Sequence, residues 1–266
     1  MLNSGMLIAA AMLAVALLAT QGQSAGSQSI GQRFHRETSF GSSRVVDTAK
    51  AHRLPADNPR TLKSHEIVHL PPPSARDCSL HQALMSRRSV RSYASRPVSL
   101  PSVSNLLWAA NGLTGNDGGF SHRTTPSAGA LYPLEIYFIA LNVDSLPPGL
   151  YHYRPNDSTL VRQSAGDFSR QLFLAGLEQD PLASPAGAVV ITACFDRTTR
   201  KYSDRGYRYL YMEVGAAFQN VSLQAASTGL GTVVVGAFDD GALNELLGID
   251  GTTEAALVLM PIGLPK

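Results

Sequence analysis

AVVITACF at residues 188–195 and TVVVGAF at residues 232–238 are two runs rich in β-branched and small apolar residues, and both predict buried strands. Between them, residues 207–228 carry apolar side chains at spacings of three and four, which predicts a long amphipathic helix. Gly229 is placed to end that helix. A strand, a long helix and a second strand in succession predict a layered α/β (α+β) domain with a central mixed sheet.

Shorter elements of both kinds flank this core. LEIYFIAL at residues 134–141 and AALVLMPIG at residues 255–263 predict two more buried strands. Ser99 is placed to cap a helix, and residues 112–119 are expected to form a loop. The sequence therefore predicts one main domain, residues 78–266.

Length and composition exclude several classes of protein. The chain has 266 residues, of which 44% are hydrophobic and 16% charged, so intrinsic disorder, collagen and coiled coil are excluded. A net charge of +2 gives no reason to expect a nucleic-acid partner. The two cysteines are too few for a disulfide framework.

The N-terminal segment differs from the rest of the chain. Residues 1–32 contain no charged side chain, and residues 6–19 form an apolar run of signal-peptide length, shorter than the roughly 20 residues of a membrane-spanning helix. The first positive residues, Arg33 and Arg36, follow the run, which suits an uncleaved anchor instead. A misplaced start codon is the third alternative. We expect a signal peptide or membrane anchor, and hence a periplasmic or membrane-attached protein.

Residues 33–77 are polar and interrupted by prolines, and they predict an extended N-terminal arm. Within them, residues 65–69 spell HEIVH, the zinc-protease pattern, which requires a helix to bring both histidines to the metal. Ile67, Val68 and the following Pro71 favour extended chain instead. We therefore expect no metal site, and a secreted zinc protease is a competing hypothesis that rests on these five residues alone.

Three further motifs are suited to binding a flat ligand that carries a phosphate group. RRSVR at residues 87–91 concentrates guanidinium groups and a hydroxyl, which can bind a phosphate dianion, although a solvated basic helix end is an alternative reading. RTTPSAGALYP at residues 123–133 has small residues that let the backbone approach a planar ring. VGAFDD at residues 235–240 again places small residues at the end of a predicted strand.

Together these motifs resemble the FMN-dependent nitroreductase superfamily, and within it the SagB/ThcOx-type dehydrogenase branch. The similarity covers nearly everything after the leader. The stretches that carry it are RRSVRSY, TPSAGALYPLEIY, KYSDRGYRY, LYMEVGAAFQNVSLQA and GLGTVVVGAFDD. The resemblance implies a three-layer sandwich and an intertwined homodimer with two FMN molecules at the subunit interface.

The resemblance also implies roles for particular residues. The FMN phosphate and ribityl chain would be held by Arg87, Arg88, Ser89 and Arg91. The isoalloxazine ring, which could be that of the partner subunit, would be lined by Pro126, Ser127, Ala128 and Gly129. The amides of Gly236 and Ala237 would approach flavin N5 and O4. Only Lys266 follows the last strand, where family members often place another basic residue.

Lys201 and Tyr202 match a pair that azoline-oxidising members of the branch use for proton transfer. Hydride transfer to flavin N5 leaves a proton for a general base, and a lysine must be desolvated to serve as one. The alternative is a solvated, highly charged loop. Glu213, in the long helix, also matches the family, and a role in a buried polar network is the expectation.

The sequence therefore predicts an FMN-dependent oxidoreductase that transfers hydride at flavin N5. Its substrate would be a small molecule or a peptide azoline, with NAD(P)H as an electron donor in the reductive direction. The competing hypothesis is a flavin-binding accessory subunit of a peptide-modifying complex. This subunit would not itself catalyse a reaction.

Overall fold

The computed structural model describes residues 29–39, 66–74, 78–117 and 120–266. Residues 1–28, most of the predicted leader, lie outside the described residues, as do residues 40–65 of the predicted arm. The chain divides into two compact units, residues 1–37 and 38–266. No helix in the described ranges combines the length and apolar character that crossing a membrane requires.

All but the last residue of a helix, α1, at Ile30–Thr38 belong to the first unit, where the sequence predicts extended chain from residue 33 onward. Its start is a capping box that the sequence analysis missed. The Ser29 amide donates to Gln32 Oε1 at 3.0 Å, and the Gln32 amide donates to Ser29 Oγ at 3.2 Å. Arg33 and Glu37, four residues apart, form an exposed ion pair at 3.4 Å. These local contacts stabilise a helix that crosses the predicted boundary at residue 32.

The described part of the second unit contains eleven strands, six α-helices and two short 3-10 helices at Ala128–Ala130 and Asp180–Leu182. The strands are Ile67–His69 (β1), Val98–Ser99 (β2), Leu113–Asp117 (β3), Phe120–Arg123 (β4), Leu134–Ala140 (β5), Val143–Asp144 (β6), Gly149–Arg154 (β7), Thr159–Ala165 (β8), Gly187–Cys194 (β9), Gly231–Thr232 (β10) and Glu254–Gly263 (β11). The helices are Leu80–Ser86 (α2), Leu100–Asn111 (α3), Ser169–Ala175 (α4), Phe195–Tyr202 (α5), Arg205–Thr228 (α6) and Asp240–Leu247 (α7).

Seven strands form the central sheet in the spatial order β1-β8-β7-β5-β9-β11-β10. Each neighbouring pair is antiparallel, so the predicted mixed sheet is wrong in this respect. The apolar runs that suggested parallel pairing have another cause. Helices cover both faces of the sheet, and a strand buried on both faces is apolar throughout whatever its direction.

Strand β5 shows how the layers are arranged. Ile136 and Phe138 pack in a core cluster with α3 and α6, whereas Tyr137 and Ile139 pack in a second cluster with α4 and α7. Successive side chains of a strand point to opposite faces, so β5 contributes to both clusters. The predicted three-layer α/β sandwich is confirmed.

Several predicted elements differ in detail. The predicted loop at residues 112–119 is largely a hairpin, because β3 pairs antiparallel with β4. The predicted strand at residues 232–238 keeps only Thr232 in β10, and Val235 rejoins β11 through a single reciprocal pair of backbone hydrogen bonds with Leu259. The extended chain predicted for HEIVH is confirmed at Ile67–His69, which pairs with β8, while His65 lies outside the described residues.

Candidate active site

The segment between β4 and β5 is anchored to two helices before it reaches the predicted ring-binding residues. Thr125 is fully buried, and its hydroxyl donates to the Ala110 carbonyl of α3 at 2.7 Å. Asn220 of α6 donates to the Thr124 carbonyl and to Thr125 Oγ1, each at 3.2 Å. These buried and partly buried bonds fix where the following residues leave the core.

The residues that follow adopt a left-handed backbone. Gly129, Ala130 and Tyr132 have φ values of 65°, 52° and 45°, and positive φ is uncommon for residues other than glycine. Ser127 stabilises this course, since its Oγ accepts from the Tyr132 amide at 2.9 Å. Such conformations are retained where the surroundings enforce them, and they cluster at functional sites. We call Ser127, Ala128 and Gly129 the 127–129 turn.

Lys201 and Tyr202 meet this turn. A Cβ atom added at Gly129 would lie 2.6 Å from Tyr202 Oη and 2.8 Å from Lys201 Nζ. Both residues belong to α5 and not to the loop that the sequence left open as an alternative. Tyr202 also packs edge-on against Tyr209, with ring centroids 5.1 Å apart. Two predicted site segments more than 70 positions apart in sequence are therefore brought together around a glycine.

Helix α5 is held in place by Arg197, one turn before Lys201. Its guanidinium contacts Glu135 Oε1 at 2.5 Å and donates to the Tyr132 carbonyl at 3.1 Å. Glu135 also contacts His152 Nε2 at 2.7 Å. Burial opposes ionisation of Glu135, but the His152 hydrogen bond and the Arg197 charge lower the pKa of this carboxyl overall. No sequence motif indicates this anchor, because it joins residues from two strands and a helix.

The predicted phosphate-binding segment lies beside β10. Ser89 bridges to Thr232, the Val90 amide donates to the Thr232 carbonyl at 2.9 Å, and the Val90 side chain packs on Gly231. Arg88 and Arg91 are exposed, and their guanidiniums donate to the nearby backbone carbonyls of Met85, Arg87 and Ser89. Among the described residues, the guanidiniums of Arg87, Arg88 and Arg91 form no ion pair with a carboxylate, so they can bind an external anion.

Gly236 and Ala237 are exposed just beyond Val235. Within the part of the chain that the structure describes, their amides donate to no protein acceptor, and nothing lies within 4 Å of the position of a Gly236 Cβ. Gln179 fixes the local backbone by donating to the Ala237 carbonyl at 2.6 Å. Two unpartnered amides in an open position suit a carbonyl oxygen of a bound ligand.

The chain anchors these two groups of residues at different points of α6. The 127–129 turn lies against Glu213, whereas Arg87 to Arg91 and residues 231–237 lie near the chain that follows the end of α6. At 1.5 Å per residue, about 24 Å of helix separates Glu213 from Gly229. The described contacts therefore join the 127–129 turn to Lys201 and Tyr202 at one point along α6, and Ser89 and Val90 to Gly231 and Thr232 beyond its end.

Comparison with known proteins agrees with this architecture. A protein-family model described as the nitroreductase family matches residues 84–264. The curated relative MJ1384 of Methanocaldococcus jannaschii, whose name places it among nitroreductases, is 45% identical over 72% of this chain and 93% of its own length. The microcin B17-processing protein McbC of Escherichia coli is 31% identical over 62% of each chain.

Solved structures give the same result. A Ralstonia eutropha protein whose name also places it among nitroreductases superposes with a TM-score of 0.65 and 27% identity, over 79% of this chain and 94% of its own. A chain of the E. coli microcin synthetase McbBCD complex, solved with truncated pro-MccB17 bound, shares the fold with a TM-score of 0.58 and 22% identity, over 93% of this chain and 86% of its own. The chain belongs to the nitroreductase family, and its similarity to McbC supports the SagB/ThcOx-type branch.

Proposed function

We propose that this chain is an FMN-dependent oxidoreductase that transfers hydride through flavin N5 and moves the accompanying proton with Lys201 and Tyr202. The observation that carries the proposal is the convergence of Lys201 Nζ and Tyr202 Oη on Gly129, inside the segment expected to line the flavin ring. Family membership supplies the expectation of an oxidoreductase, and the position of Lys201 and Tyr202 beside that segment supports a role in proton transfer.

The chemistry of the residues fits FMN. The phosphate and ribityl chain would be held by Arg87, Arg88, Ser89 and Arg91. The three guanidiniums meet no carboxylate among the described residues, so they can bind the phosphate. The amides of Gly236 and Ala237 would donate to the ring, and the 127–129 turn with Pro126 would lie along it. When bound, FMN would supply the hydride acceptor or donor, N5.

A homodimer would complete the site. One chain keeps the two groups of residues apart, and a second copy could place its 127–129 turn over the flavin held by the first. A surface for such an interface is present: Leu80, Leu84 and Met85 of α2 and Met212 of α6 are each more than half exposed. Large apolar side chains concentrated on neighbouring elements mark interaction surfaces.

Lys201 and Tyr202 would act on the proton that accompanies hydride transfer. In dehydrogenation, the Lys201 amine would accept the proton that the substrate releases, while Tyr202 would orient the donor atom by a hydrogen bond. Lys201 is exposed in the single chain, and the bound substrate and partner subunit would cover it. Similarity to a microcin-processing protein favours a peptide azoline as substrate, and NAD(P)H would serve in the reductive direction.

Anaerobic mixing of the FMN-loaded protein with candidate substrates tests the proposal. We expect an azoline peptide, or NADH or NADPH, to bleach the visible flavin absorption, and Lys201→Ala to slow the bleaching by the azoline peptide. FMN that stays oxidised with every donor would favour the accessory-subunit alternative. A protein that retains no FMN would contradict both.

A further inference from the structure

Glu213 is a carboxyl group enclosed beneath the 127–129 turn. It lies within α6 and is 5% exposed. Its Oε1 atom is buried and, among the described residues, has no hydrogen-bond partner. The Ser127 side chain and the Ala128 backbone of the turn act on this carboxyl. The turn therefore lies against an incompletely satisfied acid.

A buried carboxyl group such as Glu213 is more stable in its neutral, protonated form. A buried carboxylate oxygen with no hydrogen bond loses its hydration without compensation, and this loss is much larger for the ionised form than for the neutral one. Burial raises the pKa of Glu213 to about 7, although hydrogen bonds from Ser127 and Ala128 and the nearby Arg123 charge favour the carboxylate.

The charged surroundings of Glu213 are sparse. Arg123, at the end of β4, is the cation that acts on it, but no ion pair joins the two among the described contacts. The neighbouring α3 has no ionisable side chain, and His81 of α2 is exposed. Lys201 of α5 lies at Gly129, the far end of the turn. No charged partner replaces the water that burial removes.

We propose that Glu213 is a positioning residue that holds the 127–129 turn closed as a neutral carboxyl and releases it as a carboxylate. Because this turn belongs to the proposed flavin site, the effect of Glu213 on FMN binding rests on the proposed function. The effect of Glu213 on the turn does not depend on the proposed function.

The direction of the pH effect follows from proton linkage. Opening the turn admits water to Glu213 and returns the pKa of this carboxyl toward its ordinary value of 4.5. The closed turn therefore binds a proton that the open turn releases at neutral pH, so closure is favoured at low pH and is lost as the pH rises through 7. Lys201 and Tyr202, which contact the same turn at Gly129, lose their support when it opens.

Hydrogen exchange of the flavin-free protein tests the proposal directly. After correction for intrinsic rates, we expect protection of the amides in residues 127–132 to fall by up to about tenfold between pH 6 and pH 8. Glu213→Gln, which is neutral at every pH, should keep its protection at pH 8. Glu245→Gln, on an exposed position of α7, is the matched control and should behave as the parent protein.

Two results of this experiment would overturn the proposal: equal protection of the parent turn at both pH values, or the same loss with pH in Glu213→Gln. The first requires no variant, so a Glu213→Gln protein that fails to fold does not prevent the test.

Affinity for FMN gives a second readout. The apparent Kd of the parent and of Glu245→Gln should weaken by several-fold between pH 6 and pH 8 relative to that of Glu213→Gln, because only a closed turn can bind. Titration of the FMN phosphate is common to all three proteins and cancels. An equal pH dependence in all three would reject the link to FMN. If none binds FMN at any pH, the proposed function fails, while the exchange result still decides the role of Glu213.

Discussion

The two halves of the candidate site differ in how far one chain completes them. The half around the 127–129 turn is anchored by buried hydrogen bonds from Thr125 and Asn220 and already contains Lys201 and Tyr202. In the half around Arg87 to Arg91 and Gly236, the Arg88 and Arg91 side chains and Gly236 are exposed. Within the described chain the guanidiniums meet no carboxylate, and the Gly236 and Ala237 amides donate to no protein acceptor. The first half is organised before any ligand arrives, whereas the second has donors ready for one.

The largest expected effect is that of Lys201→Ala, which should change turnover but not FMN affinity. Lys201→Ala should slow turnover by about 10²- to 10⁴-fold, the usual contribution of a positioned acid or base, while FMN affinity stays within about twofold. Stopped-flow flavin reduction and FMN titration measure the two quantities. Arg200→Ala, an exposed neighbour on the same helix, is the control and should leave both unchanged. Unaltered turnover in Lys201→Ala would exclude the proposed base.

In the half of the site around Arg87 to Arg91, we expect a substitution to change FMN affinity more than turnover. Arg91→Ala should weaken FMN affinity by about 10- to 100-fold, because a charge-assisted hydrogen bond contributes about 1.5–3 kcal/mol. The protein should fold normally, since Arg91 is exposed and bonds only a local carbonyl. Arg170→Ala, exposed on α4, is the matched control. Equal FMN retention by the two variants would remove Arg91 from the phosphate site.

Removing the anchor of α5 should disturb the organised half. Glu135→Gln breaks a partly buried cluster with Arg197 and His152, and we expect a loss of about 1–3 kcal/mol in unfolding free energy, measured with urea. Because the pKa of Glu135 is lowered in the fold, its contribution is present above its ordinary pKa and lost as the pH falls below it. Asp157→Asn, in an exposed pair with Arg154, should cost far less. Equal losses would mean that Glu135 stabilises no more than a surface ion pair.

Gly129→Ala tests whether the positions of Lys201 and Tyr202 depend on the small residue at position 129. Its Cβ would lie within 3 Å of Lys201 Nζ and Tyr202 Oη, and the positive φ adds backbone strain of about 1 kcal/mol. Both contacting groups are ends of flexible side chains, so the protein should remain folded. We expect turnover to fall about tenfold or less, since the proton-transferring pair must shift. A Gly248→Ala variant, with similar φ and open space around it, controls for backbone strain. Equal turnover in the two variants would show that the pair does not depend on Gly129.

The sequence predicted elements whose signals are local and missed relations that join distant residues. The period of residues 207–228 predicted α6 to within two residues of its start, and the β-branched runs predicted β5, β9 and β11. Antiparallel pairing was not predictable from those runs, because burial on both faces gives the same pattern in either direction. Helix α1 was missed because its signal, the Ser29–Gln32 capping box, falls at the end of the uncharged segment that was interpreted as a leader, while most of the helix falls in the predicted extended arm.

The candidate site shows the same limit. Motifs identified the segments of Lys201 and Gly129 separately, and only the fold brings them into contact. The Glu135 to Arg197 pair joins residues more than 60 positions apart and has no motif. Glu213 was expected in a buried polar network, but its unpartnered Oε1 atom depends on tertiary packing that no local pattern encodes.

The visible absorption spectrum of the purified, FMN-saturated protein, followed anaerobically as substrate is added, tests the central claim most directly. We expect one FMN for each chain, two for each homodimer, and bleaching of the flavin band by an azoline peptide or a nicotinamide donor. A protein that binds no FMN at saturating concentration would contradict it.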